Sequence, residues 1–339
     1  MKADSQVILT GFADEGVSQQ PFKSIQEQFS TFAALGMQYY SIRFVDAGNG
    51  TKNVMDLTME EIQTIRNAQN DFGLNVSSIG SPIGKVKLAD VEDGTRNRYV
   101  PFSQYLDEVS HACEITHAFE SKLIRGFSFY PPRGANPDDY MNQAVDQLSK
   151  IAEMCHRSDL TFGLEVETNL IGDNGWRLAE LYQKINHPSI VLVFDAGNLV
   201  TQGYNASEIL DQFRVCLPGL GWMHVKDYRS PKPIKKGDPV DEDHLKNFVP
   251  ANLGDAGYEL LFRELKKTLP LLTAKLRSRG IPGFFVDLEP HVKGGGQFGG
   301  YSGPDGVGVA FRALCSLLDY VGIRYHLRDF DDILADRGF

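Results

Sequence analysis

The sequence predicts one α/β domain over residues 1–339, folded as a single (β/α)8 barrel with extended βα loops after strands 7 and 8. Three observations predict it. Short β-branched or aromatic runs alternate with amphipathic stretches along the chain, as parallel strands buried on both faces alternate with covering helices. No composition break divides the chain. The turn after the first run reads GFADEG, which is not a dinucleotide fingerprint and so argues against a doubly wound open sheet.

The first strand is VILTGFAD from Val7, and its helix is FKSIQEQFSTFAALG, with Ile25, Phe29, Phe32 and Leu35 at helical spacing and Gly36 as a stop. The second strand is YYSIRFVD from Tyr39. It leads to TMEEIQTIRNAQNDFG, where Thr58 and Glu61 form a capping box and Gly73 ends the helix. Strands three and four are NVSSIGSP from Asn75 and KLIRGFSFY from Lys122, with the helix YMNQAVDQLSKIAEM after the latter. Strands five to eight are LTFGLEVE from Leu160, IVLVFDAG from Ile190, GLGWMHVKD from Gly219 and GFFVDLEPH from Gly283. LLFRELKKTLPLL is the helix before the last strand.

The chain has 339 residues, more than the roughly 250 of a typical barrel. The excess falls in two loops. One, rich in Lys, Pro and Asp, runs from Tyr228 to about Leu253; the other is HVKGGGQFGGYSGPDG. The glycine-rich loop can serve as a phosphate cradle or as a lid.

Hydrophobic content of 42% and charged content of 23% are ordinary for a soluble protein. The net charge of -10 argues against a nucleic-acid binder that relies on phosphate contacts. No run approaches the roughly 20 apolar residues of a membrane span. Cys113, Cys155, Cys216 and Cys315 form no C-x-x-C pair, so buried thiols in a reducing, cytoplasmic setting are expected. The N-terminal apolar run is too short for a signal-peptide core. The helices show no apolar stripe beyond core needs, which leaves a homo-oligomer open.

The chemistry concentrates at four strand ends. Glu165 closes LTFGLEVE, Asp195 closes IVLVFDAGN, His224 lies in MHVKD and Glu289 lies in DLEPH. Side chains at strand ends of such a chain converge on one barrel face. Three carboxylates and one imidazole there make a divalent-metal site, mostly hard oxygen, suited first to Mn2+, then Mg2+ or Co2+, with Zn2+ also able to bind. Taken singly, Asp195 reads as a helix N-cap and His224 as a core or surface histidine. Their joint placement, one per strand across successive strands, favours the metal site.

Other residues gather around these four. Glu167 shares a strand face with Glu165. Asn198 reads equally as a contact to a substrate hydroxyl or as a helix cap. Lys226 shares a face with His224 and can hold an oxyanion or a substrate carboxylate, while Asp227 points away and orients the loop. His291 shares a face with Glu289, with Asp287 below them. Arg43 and Arg125, at earlier strand ends, read equally as clamps on an anionic or polyhydroxy substrate and as structural bridges to barrel carboxylates.

The motifs GLEVETNLIGD, VFDAGNLV, MHVKD and FVDLEPH, with TGFADE, IGSPIGK, IRGFSFYPP and FVPANLGDAGY, resemble the xylose-isomerase-like superfamily of TIM-barrel sugar isomerases and epimerases, in particular a sugar phosphate isomerase/epimerase subgroup. The resemblance covers almost the whole chain. It implies that Glu165 and Glu289 are both ligand and acid/base, and that Asp195 and His224 are ligands only. It further implies a small carbohydrate substrate chelated through its carbonyl and adjacent hydroxyl. One glutamate would take the proton alpha to the carbonyl, and its return would give epimerisation or isomerisation. Asn198 stands where many members carry a second histidine.

With a leaving group beta to the acidified carbon, the same enolisation gives a lyase or dehydratase acting on a keto-sugar or keto-glycoside. The apurinic endonucleases share the barrel but need further histidines and a basic surface; His111, His117 and His156 fall in helix-like segments. A non-catalytic sugar-binding or scaffold barrel is the remaining reading.

Overall fold

Eight short apolar runs form a parallel sheet: β1 (Ile8–Gly11), β2 (Tyr39–Ile42), β3 (Asn75–Gly80), β4 (Leu123–Gly126), β5 (Thr161–Glu165), β6 (Ile190–Asp195), β7 (Leu220–Val225) and β8 (Phe285–Leu288). The computed structural model describes residues 6–15, 24–236, 247–290, 303–336 and 338. The strands follow one another around the sheet in chain order, and β8 returns to pair with β1. A single bridge between Phe12 and Ser41 joins β1 to β2 and completes the ring. The expected (β/α)8 TIM barrel is therefore the observed architecture.

Helices fill the crossovers, with α1 at Ile25–Ala34, α2 at Met59–Phe72, α3 at Phe102–Ala118, α4 at Met141–Arg157 and α5 at Gly175–Ile185. A short α6 (Ala196–Val200) precedes α7 (Ala206–Cys216), and α8 (Tyr258–Arg277) leads into β8. Beyond β8 lie α9 (Gly303–Val321) and α10 (Phe330–Asp336). Each long helix buries one stripe. In α4 the stripe is Ala144, Leu148, Ile151 and Cys155, spaced three or four apart so that they share a face. The predicted capping box holds: Thr58 Oγ1 accepts from Glu61 N, and Glu61 Oε2 accepts from Thr58 N.

The run YYSIRFVD is shorter as a barrel strand than its pattern suggests. β2 stops at Ile42, and Phe44–Asp46 instead forms a small antiparallel hairpin with Thr51–Asn53. The break falls at Arg43, whose guanidinium turns to pair with Asp14. A second small hairpin, Asp227–Tyr228 with Phe248–Val249, lies in the long loop after β7. Residues 237–246 of that loop, and the glycine-rich segment with His291 after β8, lie outside the described residues.

Register decides what meets inside the barrel. Thr10 of β1 is aligned with Asp287 of β8, Asp287 with His224 of β7, and His224 with Asp195 of β6. Aligned residues of neighbouring strands share a sheet face, so these four form one layer. The floor beneath is closed by Trp222, 1% exposed, two residues before His224 on the same face. Gly163 makes room for it, since a Cβ there would lie 2.0 Å from the indole ring.

Candidate metal centre

The strands β5, β6 and β7 and the residue just past β8 bring Glu165, Asp195, His224 and Glu289 together. Each offers one ligand atom, these atoms lie within 4.8 Å of one another, and all four residues are buried. His224 Nδ1 is the hub: it lies 3.1 Å from Glu165 Oε1 and 2.9 Å from Glu289 Oε1. Asp195 closes β6 and also caps α6, its Oδ1 accepting from Asn198 N at 3.2 Å. The helix-cap reading of Asp195 and its place in the cluster are thus both realised.

Both glutamates share a pattern. Each turns Oε1 to His224 and Oε2 to a cation: Glu165 Oε2 lies 3.4 Å from Arg125 Nε, and Glu289 Oε2 lies 2.5 Å from Lys226 Nζ. Lys226 Nζ also lies 2.8 Å from Asp195 Oδ2. Gly197 permits this approach, because a Cβ there would lie 2.7 Å from Lys226 Cγ. The guanidinium of Arg125 is itself clamped between rings, 4.5 Å from the centroid of Phe127 and 5.5 Å from that of Phe12.

Crowding of charge shows in the protonation equilibria. Burial pushes the Glu165 carboxyl up, but the charges of His224 and Arg125 outweigh it and hold it below the usual carboxylate range. Burial pushes Asp195 up to about 7, with Lys226 opposing and Glu289 and Glu165 adding to the rise. Burial lowers His224, yet the Glu165 and Glu289 carboxylates raise it well above its ordinary value. Three buried carboxylates converging on one imidazole make a cavity whose charge a cation would relieve. The donor set of three oxygens and one nitrogen fits a divalent ion.

The remaining candidates separate by geometry. Glu167 turns away from the cluster: its Oε2 lies 3.1 Å from Lys85 Nζ, and its Oε1 accepts from Thr168 N at 2.9 Å. The strand ends at Glu165, so the face shared by the two glutamates in the sequence pattern is not kept. Asn198 is buried inside α6 rather than capping it, and its Nδ2 donates to Val166 O at 3.0 Å. Arg43 sits toward the rim, its NH2 2.9 Å from Asp14 Oδ2 and its guanidinium 5.1 Å from the Phe12 ring. Both arginines therefore carry the bridging reading, each on a carboxylate. Asp227 Oδ1 accepts from Tyr228 N at 2.7 Å and Ala256 N at 3.0 Å, anchoring the loop.

Pattern did not single out Phe12, which meets His224, or Phe127, Lys85 and Asp14, which stand one contact further out on Arg125, Glu167 and Arg43. The Phe12 ring meets that of His224 edge-on, with centroids 5.4 Å apart. Lys85 Nζ lies over the Phe127 ring at 4.2 Å. Their signal was present in part, since TGFADE, IGSPIGK and IRGFSFYPP all end strands. Nothing local said which of their residues faced inward.

A sequence profile described as the xylose isomerase-like TIM barrel matches residues 29–269. The chain belongs to that family. The matched span holds Glu165, Asp195 and His224 and stops before Glu289. Among curated proteins no relative matches in sequence. Solved structures of xylose isomerase-like and related barrels share the fold at low identity. The probable 3-DHS dehydratase AsbF of Bacillus anthracis has a TM-score of 0.62 at 15% identity, covering 91% of this chain and 98% of its own. D-Psicose 3-epimerase of Clostridium cellulolyticum H10, solved with D-tagatose, has a TM-score of 0.56 at 12% identity, covering 93% and 98%. A xylose isomerase-like TIM-barrel protein of Mycobacterium smegmatis in complex with magnesium has a TM-score of 0.59 at 15% identity, covering 93% and 99%.

Proposed function

We propose that the protein is a divalent-metal-dependent isomerase or epimerase of a small sugar or sugar derivative. The observation that carries this reading is the meeting of Glu165, Asp195, His224 and Glu289 within 4.8 Å inside the barrel. These residues would hold the ion, Mn2+ first among the candidates. Bound there, the ion would polarise a substrate carbonyl and lower the acidity barrier at the neighbouring carbon.

Proton transfer falls to the chain's own carboxylates. Glu165, held ionised by His224 and Arg125, is the base that takes the proton alpha to the carbonyl. Glu289 carries the complementary role and returns a proton, to the opposite face of that carbon or to the neighbouring one. Lys226, beside Glu289 and Asp195, and Arg125, beside Glu165, fix these carboxylates and offer positive charge near an enediolate oxygen. Asn198 and His291 are the remaining proposed substrate contacts, and Glu167 and Arg43, paired with Lys85 and Asp14, would reach substrate only beyond those pairs. The barrel belongs in the cytoplasm on this reading; among the described residues no helix is long and apolar enough to cross a membrane.

The test is solvent-deuterium exchange. Chelator-treated protein is mixed with ketoses, aldoses and 3-keto-glycosides, with and without Mn2+, and followed by NMR. Metal-dependent exchange of one carbon-bound proton, with the other groups intact, is the expected outcome. The dehydratase among the structural neighbours gives the second outcome weight: release of water or an aglycone would make the protein a lyase using the same base. No exchange on any member would sink the enzymatic reading.

A further inference from the structure

Behind His224 the barrel holds a second polar group that the proposed chemistry does not use. Asp287 of β8 is aligned with His224 and is 1% exposed. Its Oδ2 lies 3.9 Å from His224 Nε2, on the opposite edge of the ring from Glu165 and Glu289. The same oxygen accepts a hydrogen bond from Ser41 Oγ of β2. Ser41 Oγ lies 3.0 Å from Ser77 Oγ and 3.0 Å from Ser78 Oγ of β3, and Ser77 Oγ lies 2.6 Å from Thr10 Oγ1 of β1. Four buried hydroxyls from three strands thus form one network that reaches the carboxylate through Ser41.

Such residues are costly inside a barrel, whose interior is ordinarily filled by branched apolar side chains. Their arrangement accounts for their presence. A neutral imidazole has one N–H and one lone pair, and the partner of the N–H decides which nitrogen is left as a donor. Nδ1 faces the cluster. Nε2 is buried and has no hydrogen-bond partner among the described residues, and the nearest carboxylate to it is Asp287. At 3.9 Å the pair is an electrostatic contact, and the ring must move toward Asp287 for a hydrogen bond to form. An acceptor behind Nε2 keeps the proton there, so the proton displaced by an arriving cation is the one on Nδ1.

We propose that Asp287, oriented by the Ser41 hydroxyl, is a positioning residue that fixes His224 with its proton on Nε2 and its lone pair on Nδ1. It acts through His224 and does not belong to the group able to hold the ion. The inference rests on the reading of His224 as a metal ligand and adds the residue that orients it. Ser41 has a separate part. By donating to Oδ2, it stops the carboxyl from rotating its oxygen away from the ring.

The experiment uses the full chain, stripped with chelator, and reads zinc affinity by competition with a chromophoric chelator. Long-range 1H–15N NMR of histidine-labelled, zinc-loaded protein reads which nitrogen of His224 is protonated. In the unaltered protein the proton is expected on Nε2 and the metal on Nδ1. Asp287→Ala is expected to weaken zinc binding by about 10–100-fold, the usual effect of removing a carboxylate behind a metal-bound histidine. Asp287→Asn, whose amide oxygen still accepts from Nε2–H, should recover most of that loss. Ser41→Ala should weaken binding in the same direction by a smaller factor. Should Asp287→Ala fail to fold, the spectrum of the unaltered protein and the Ser41→Ala and Asp287→Asn affinities decide the matter. Zinc on Nε2, affinity unchanged within about twofold in Asp287→Ala, or in Ser41→Ala where that variant decides, or an Asn variant as weak as the Ala variant would each overturn the proposal. If zinc binds through the four residues and these variants bind as well, only the role of Asp287 fails. If the unaltered protein takes up no ion, the metal reading falls and this one falls with it.

Discussion

The strands β5 to β8 deliver Glu165, Asp195, His224 and Glu289 to a single cluster, whereas β1 to β4 deliver Thr10, Ser41, Ser77 and Ser78 as a hydroxyl ladder and Arg43 and Arg125 as paired cations. Both halves share the same strand geometry and face the same interior. In the second half, three carboxylates, Glu165, Asp195 and Glu289, crowd around His224 with Arg125 and Lys226 beside them, and burial drives Asp195 up to about 7. In the first half, Arg43 pairs with Asp14, while Lys85 and Arg125 reach across to Glu167 and Glu165 of the second. Unbalanced buried charge is unfavourable unless something relieves it. On the proposed function, the half that crowds its carboxylates holds the cation and moves the proton, and the other half supports it.

Substitutions in the two halves should separate by size of effect. Glu165→Gln or Glu289→Gln should cut metal-dependent deuterium exchange by about 10²–10⁴-fold, the range for loss of a general acid or base. Full exchange in Glu289→Gln, with the ion still tightly bound, would remove the distinction between the halves.

The pH dependence comes next. Burial lowers the pKa of His224, but Glu165 and Glu289 raise it above its ordinary value in the folded protein, so a cation competes with a proton for the ring. Lowering the pH strengthens the proton's hold, and metal affinity should fall by about tenfold per pH unit for each proton released. Calorimetry in two buffers of different ionisation enthalpy reads the number released. A value of zero would mean that the ion displaces no proton from His224.

Gly197→Ala sharpens the comparison at one contact. The added Cβ would meet Lys226 Cγ and the Lys226 carbonyl oxygen, both at 2.7 Å. The expected cost is about 1–3 kcal/mol in a urea melt, as for overpacking elsewhere. A neutral result would show that Lys226 is free to move aside. The smallest effect is expected at the rim: Arg43→Gln should leave metal affinity within about twofold, because its guanidinium pairs with Asp14 and meets His224 through the Phe12 ring. A large loss there would join the two halves into one unit.

Much of this was legible in the chain. Each barrel strand was an apolar run with a polar end, and the four cluster residues stood at such ends on successive strands. Glu167 shows where legibility stopped. Spacing of two places it on Glu165's strand face, but the strand ends at Glu165 and Glu167 turns to Lys85. Arg43 is a similar case: the run YYSIRFVD continues through it in pattern, but pairing with Asp14 ends the barrel strand. His291 falls outside the described residues, so its proposed contact rests on sequence alone.

The sequence by itself determined the alternation of strands and helices, the α2 capping box, and which residues end each strand. These depend on local periodicity and on side chains a few positions apart. Only the tertiary structure decided that Lys226 lies between Asp195 and Glu289, that Arg125 is clamped by Phe12 and Phe127, and that Asp287 stands behind His224 with Ser41. Those contacts join strands from opposite ends of the chain through closure of the ring and the register of β8 on β1 and β7. Closure is a property of the whole sheet, and no short segment carries it.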